Sequence, residues 1–234
     1  MQVAGELSAQ PDEAAGANHA RGARGATTAT STLPAPERAC LELAWQAMLA
    51  GAAPIGAVVA DPVGAIISTG RNAVDGAADP PLLAGSLLAH AEVNALIWLR
   101  HGSRRHAGYR LVTSLEPCPM CAGAFRMAQL GALTSLGADP FNGATWLLTS
   151  EQYLGRRPVE ITGPRADEFG RLAAGLVVAY QLRRRPGGPV LAAYEELRPD
   201  LLAAGESLVG AGLFDLAARQ LPWAQVADSL LAAV

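Results

Sequence analysis

Two short β-branched runs, "PIGAVVAD" and "GAIISTGRN", stand on either side of Asp61-Pro62-Val63-Gly64. An Asp-Pro-x-Gly step is a turn signature, so the runs are expected to fold back on one another as a β-hairpin. Two further strand-like runs, "YRLVTSL" and "ALTSLGAD", are separated by "PCPMCAGAFRMAQLG", a helix that Pro opens and Gly131 closes. A strand, helix, strand succession calls for a parallel pair, and a hairpin for an antiparallel one. A mixed sheet with helices on its faces satisfies both.

The flanking segments extend this plan. "RACLELAWQAMLAG" puts Leu41, Leu43, Ala44, Met48 and Leu49 on one broad apolar side and ends at Gly51, which predicts a first helix. A second helix is expected from near Leu87 to His101, with "HAEVNAL" close to its start. "ADEFGRLAAGLVVAYQLRRR" reads as a helix that "RPGGP" breaks, and two or three more Ala/Leu helices are expected over 189–234. Residues 1–33 are rich in Ala, Gly and Thr and lack a sustained period, so they are expected to form a flexible leader. The expected division is 1–33 leader, 34–155 catalytic core and 156–234 helical extension packed on that core.

Half of the 234 residues are apolar and 17% are charged, which suits a soluble globular chain. The net charge of −3 supplies no global attraction for nucleic acid, and all 18 basic residues are Arg. No 18-residue apolar run is free of charge or of Gly and Pro breaks, so no membrane span is expected. Glu6, Asp12 and Glu13 interrupt the N-terminus and argue against a secretory signal, which makes a cytoplasmic location the expectation. Three cysteines are too few for a disulfide framework.

Two of those cysteines carry the chemistry. Cys118 and Cys121 are two residues apart at a helix N-terminus, where free backbone N–H groups favour thiolates. Such a pair can grip a zinc ion, be a redox couple, or form half of a structural metal site. His90 is the natural third ligand. Three protein ligands leave a coordination position for water, whereas structural zinc sites close with four. Cys40 lies in the amphipathic first helix and is expected to be buried as a small hydrophobe. His101 and His106 fall in the polar turn "RHGSRRHAG" and His19 in the leader, all expected to be exposed.

Glu92 then has a task. A carboxylate beside a zinc-activated water can take a proton and deliver it elsewhere, which is general acid–base work. Residues 90 and 92 would point about 200° apart on a regular helix, so both can face one ion only if the motif starts the helix.

The motifs "PIGAVVAD", "GRN", "HAEVNAL", "LEPCPMCAGA" and "GADP" together make residues 35–150 resemble the cytidine deaminase-like superfamily. The similarity is to its branch containing guanine deaminases, small cytosine deaminases and tRNA adenosine deaminases. That resemblance implies a three-layer α/β/α sandwich with a mixed five-stranded sheet, zinc as cofactor, and a homodimer. It implies hydrolytic deamination of an exocyclic amino group, with His90, Cys118 and Cys121 as metal ligands and Glu92 moving protons to a ring nitrogen and to the leaving amine. Asn72 matches the asparagine that contacts base or sugar, with a turn residue as the alternative reading. Ile55, Ala91 and Pro117 match positions that border the substrate, and Pro54, Gly56 and Ala57 belong to the same pocket wall. Glu116 either supports a ligand or is structural, and Asn94 either orients His90 or is an exposed or capping residue.

Two departures bear on substrate. "PLLAGSLLA" is inserted between Asp79-Pro80 and His90, beside the expected pocket mouth, and is expected to reshape or cover it. The basic terminal helix of tRNA-binding relatives is matched only by Arg183, Arg184 and Arg185. A free nucleoside or nucleobase, such as cytidine, adenosine, guanosine or guanine, is therefore the expected substrate, with nucleic acid and membrane not expected as partners. The alternatives are a tRNA-specific adenosine deaminase and, from another class, an inactive zinc-stabilised interaction module.

Overall fold

The structure is a computed structural model that describes residues 29–75, 83–100, 104–150 and 153–234. His19, Asp79, Pro80 and His101 lie outside the described residues. The hairpin forms as expected, from β1 (Gly56–Ala60) and β2 (Ile66–Arg71) paired antiparallel. Asp61 closes it: its Oδ1 accepts from the N–H groups of Val63 and Ala65 at 3.0 and 2.8 Å, and Gly64 takes a φ of 85°. β3 (Arg110–Leu115) joins β1 antiparallel and β4 (Ala132–Gly137) parallel. A three-residue β5 (Glu160–Thr162) completes the order β2-β1-β3-β4-β5.

Alternation along the strands sorts the helices into two layers. Ala57, Val59, Leu111 and Leu133 face one way, toward α2 (Ala91–Leu96) and α3 (Pro119–Met127), and pack with Ala95, Ala122 and Phe125. Val58 and Val112 face the opposite way, against Cys40 of α1 (Ala35–Leu49). α4 (Glu168–Arg184) lies on β4 beside α1, and α5 (Pro189–Leu197), α6 (Pro199–Gly210), α7 (Leu213–Ala218) and α8 (Trp223–Leu231) complete that layer. The result is the α/β/α sandwich with its C-terminal helices. Leu136, Leu41, Trp45 and Met48 share one cluster with Leu172, Leu176, Leu208, Leu213, Trp223 and Leu230.

Close contact is made possible by glycine. A Cβ on Gly56 would lie 2.3 Å from the Cys40 carbonyl, and one on Gly70 would lie 2.2 Å from the Ala91 carbonyl. α1 and α2 therefore rest with their backbones directly on β1 and β2.

Three expectations need correction. The second helix runs only from Ala91 to Leu96, not from Leu87 to His101. Upstream, Ser86 makes a tight turn instead, its Oγ accepting from the Leu88 N–H and its carbonyl from the Ala89 N–H. The C-terminal region folds as four helices after α4, three of them opened by Pro189, Pro199 and Pro222. Residues 29–32 form a 3-10 turn and Leu33 is buried in the α1–α8 cluster, so packed chain begins ahead of residue 34. Among the described residues no helix is long and apolar enough to cross a membrane.

Candidate metal centre

The centre is built where two helices begin. β3 ends at Leu115, and the Glu116 N–H still donates to the Gly137 carbonyl at 2.8 Å, carrying the parallel pairing one residue further. Pro117 is buried and its carbonyl accepts from the Ala144 N–H at 2.9 Å. This fixed exit delivers Cys118 as the N-cap of α3, in extended conformation, with Pro119 at the first helical position and Cys121 in the first turn. His90 is likewise the N-cap of α2, extended at φ −74° and ψ 153°. The motif therefore starts the helix, which allows His90 and Glu92 to face the same side.

His90 Nδ1 lies 3.6 Å from Cys118 Sγ and 3.5 Å from Cys121 Sγ, and the three donor atoms are mutually within 4.8 Å. Tetrahedral zinc with bonds of about 2.05 Å to N and 2.3 Å to S places such donors about 3.6 Å apart, so the trio fits the ion with little rearrangement. Glu92 is 4% exposed. Its Oε2 accepts from the Cys121 thiol at 3.4 Å and its Oε1 from the Thr113 hydroxyl at 3.4 Å, leaving it beside the trio and outside it.

The electrostatics favour a cation. The Cys118 thiol is driven down to about 4, first by a hydrogen bond from Cys121 and also by the His90 imidazole. The same bond, with burial, pushes Cys121 up. His90 is raised by its contact with Cys118, and Glu92 is raised by burial. One negative charge is thus already favoured on the sulfur pair, and a divalent ion would stabilise the second.

The expected substrate-side residues fall at the same end of the sheet. The register pairs Ala57 with Thr113, and the Gly56 N–H donates to Ser114 Oγ at 3.0 Å, so Ile55 arrives beside the end of β3. The Asn72 N–H donates to the Ile55 carbonyl at 2.9 Å, while its side-chain Oδ1 accepts from the Val74 N–H at 3.1 Å. The turn reading of Asn72 is thus present in the structure. Ala91 is fully buried between His90 and Glu92, and Pro117 precedes Cys118.

Asn94 and His106 differ from expectation, while Glu116 and Cys40 take structural places. Glu116 Oε1 accepts from the hydroxyl and N–H of Thr145, which ties the loop after β4 to the end of β3. Asn94 is fully buried, and its side chain bonds Arg71 and Leu83 instead of His90. His106 is half-buried, its ring tilted against Tyr109 at 5.8 Å. Cys40 is fully buried as expected, its thiol donating to the Val112 carbonyl on the face away from the metal trio. Sequence reasoning overlooked Thr113, although strand alternation in "RLVTSL" places it with Leu111 on the α2 face.

Residues 35–135 match the family model of the cytidine and deoxycytidylate deaminase zinc-binding region. A tRNA(Ile)-lysidine synthase of Deinococcus deserti is 36% identical over 138 residues, 56% of this chain and 24% of that protein. A tRNA-specific adenosine deaminase of Haemophilus influenzae is 38% identical over 112 residues, 46% of this chain and 59% of that protein. A guanine deaminase of Bacillus subtilis is 41% identical over 81 residues, 32% of this chain and 45% of that protein. The chain thus spans about a quarter of the lysidine synthase and about half of the two deaminases. The match runs from α1 into β4 and takes in the whole His-Cys-Cys trio, so the metal-ligating residues of this chain lie within its similarity to the cytidine and deoxycytidylate deaminase zinc-binding region.

Proposed function

We propose that this protein hydrolytically deaminates the exocyclic amino group of a free nucleoside or nucleobase. The observation that carries the reading is a buried carboxylate, Glu92, set 3.4 Å from one thiol of a His90-Cys118-Cys121 trio. These three residues would hold zinc, which supplies the Lewis acidity that brings water's proton loss near neutral pH. Glu92 takes one proton from the attacking water and gives it to a ring nitrogen, then takes the second from the hydroxyl so formed on the ring and gives it to the departing amine. Overall, oxygen from water replaces the amino group and ammonia leaves. Thr113 holds the second carboxylate oxygen and so orients the first. Ile55, Asn72, Ala91 and Pro117 border the ring.

The charge pattern supports a small substrate. Arg110, Arg165, Arg184 and Arg198 each face a carboxylate, and Arg183 stacks on Phe214 with its guanidinium carbon 4.8 Å from the ring centroid. Four described cations are therefore balanced by carboxylates, and of the Arg183–Arg185 run two are already engaged, which weakens the one basic cluster available for the several phosphate contacts that tRNA binding requires. The Haemophilus influenzae relative favours the second reading, deamination of a tRNA adenosine. The exposed Ile97, Trp98, Met127 and Trp146 support a homodimer, and three free cysteines support a reducing, cytoplasmic setting. Residues 156–234 act as an extension of a 34–155 catalytic unit.

Ammonia release is to be measured on guanine, cytosine, adenosine, guanosine, cytidine and whole tRNA. Turnover of one free compound is expected; activity confined to tRNA replaces the first reading by the second. Glu92→Gln is expected to keep zinc and lose activity by roughly 10²- to 10⁴-fold. Unchanged activity removes Glu92 from the chemistry, and a wild-type protein with zinc but no activity on any of the six leaves a zinc-stabilised interaction module.

A further inference from the structure

The approach to the metal centre is fastened by one buried amide. Asn94 lies on α2, four residues after His90, and is 0% exposed. Its Nδ2 donates to the carbonyls of Arg71 at 3.0 Å and Leu83 at 3.1 Å, and its Oδ1 accepts from the Leu83 N–H at 2.8 Å. Both amide hydrogens and the carbonyl are thus engaged, on two chain segments far apart in sequence.

Those segments are the two sides of the proposed substrate approach. Arg71 ends β2 and directly precedes Asn72. Leu83 opens the last part of the insertion, which runs through Leu87 and Leu88, 82% and 56% exposed, to Ala89 and His90. Backbone bonds knit the two together: the Ala73 N–H donates to the Ala89 carbonyl at 2.9 Å, and the Gly85 N–H donates to the Ala73 carbonyl at 3.0 Å. The Asn94 side chain itself bonds none of the His-Cys-Cys trio, and the segment meets it only through the backbone, where the His90 N–H donates to the Leu88 carbonyl at 2.8 Å.

We infer that Asn94 is a positioning residue for the reaction, one that fixes residues 71–73 and 83–89 against α2 and so sets which ring enters and how tightly it is held. The inference rests on the deaminase reading above. An amide is needed because both segments present backbone groups of both polarities; an aspartate can accept from Leu83 but cannot donate to either carbonyl. A buried donor or acceptor left without its partner is costly, which is why the segment would shift.

The test uses the full chain, with Asn94→Asp and Asn94→Ala compared with wild type. Zinc content is expected to stay at the wild-type level in both. For the compound that wild type deaminates fastest, KM is expected to rise by about tenfold or more, the factor carried by one lost buried hydrogen bond, with kcat changed by less than about threefold. Amide hydrogen exchange at Leu83 is expected to be protected in wild type and at least tenfold faster in Asn94→Ala. A KM that stays fixed while kcat falls overturns the inference, as does loss of zinc. So does a Leu83 amide that exchanges at the unprotected rate in wild type, a measurement that needs no variant to fold. If wild type deaminates nothing, the functional reading falls together with the substrate part of this inference, while the exchange data still decide whether Asn94 holds the segment.

Discussion

Gly70→Ala tests how the metal ligands are held in register. Gly70 lies on β2 under α2, and a Cβ there would sit 2.2 Å from the Ala91 carbonyl oxygen, 2.4 Å from the Ala95 nitrogen and 2.7 Å from the Asn94 carbonyl carbon. An ordinary carbon–oxygen contact is roughly 3.3 Å, so the two elements must separate by about 1 Å. All three opposing atoms are backbone, so no side chain can turn aside. If α2 yields, His90 moves away from Cys118 and Cys121 by a distance that zinc bonds, defined to about 0.2 Å, cannot absorb. Overpacking of this kind costs about 1–3 kcal/mol. Expressed wholly at the metal, that is a roughly 5- to 150-fold loss of zinc affinity. Competition against a chromophoric chelator reads the affinity, and thermal unfolding of the zinc-free protein reads the remainder. Gly123→Ala is the control: it lies in α3 with open space around its Cβ and is expected to leave zinc affinity unchanged while adding about 0.5–1 kcal/mol of stability. A Gly70→Ala protein with a lowered melting temperature but wild-type zinc affinity would refute the reasoning, because the edge strand β2, and not α2, would have given way.

Further outcomes can be stated more briefly. Cys121→Ala is expected to take zinc from one ion per chain to near none, and chelation of the wild-type protein is expected to lower its melting temperature; metal analysis and calorimetry check both. Asp167 caps α4 by accepting from the N–H groups of Phe169 and Gly170, and Arg165 beside it holds its carboxyl below the usual range. A depressed folded pKa gives stability that is present above the unfolded value, near 4, and lost as pH falls. The stability gap between wild type and Asp167→Ala in urea unfolding is therefore expected to be full at pH 6 and to shrink below about pH 4. Gly205→Ala would put a Cβ 2.3 Å from Val178 Cγ1 and is expected to push α6 off α4, destabilising the protein by about 1–3 kcal/mol without altering zinc affinity.

Much of the fold was legible because its signals are local. Asp61 and Gly64 announce the hairpin, and Pro119 announces α3. The geometric requirement that His90 begin its helix also follows from two residues of spacing. What escaped depends on partners far away in the chain. "LLAHAEVNALIWLRH" looks like one helix from Leu87 to His101, yet Asn94 gives its polar atoms to Arg71 and Leu83, and residues 86–89 are spent on a turn. β5 is three residues with no buried position, too short and too exposed to leave a period-two pattern; it exists because β4 offers it an edge. Thr113 and Glu92 are 21 residues apart, and only the stacking of α2 on β3 reveals the contact.

The shared cluster of α1, β4 and the C-terminal helices limits how freely this domain can be recombined. The Trp45 indole N–H of α1 donates to the Leu221 carbonyl at 2.7 Å, and a Cβ at Gly137 of β4 would lie 2.7 Å from the Ala174 nitrogen of α4. A graft that joins the sheet to another protein's C-terminus would need to bring a helix whose backbone can lie on Gly137 and a residue that can receive Trp45. The helices from α4 onward are thus less an appendix than an integral part of the scaffold, and crossover points for chimaeras belong elsewhere in the chain.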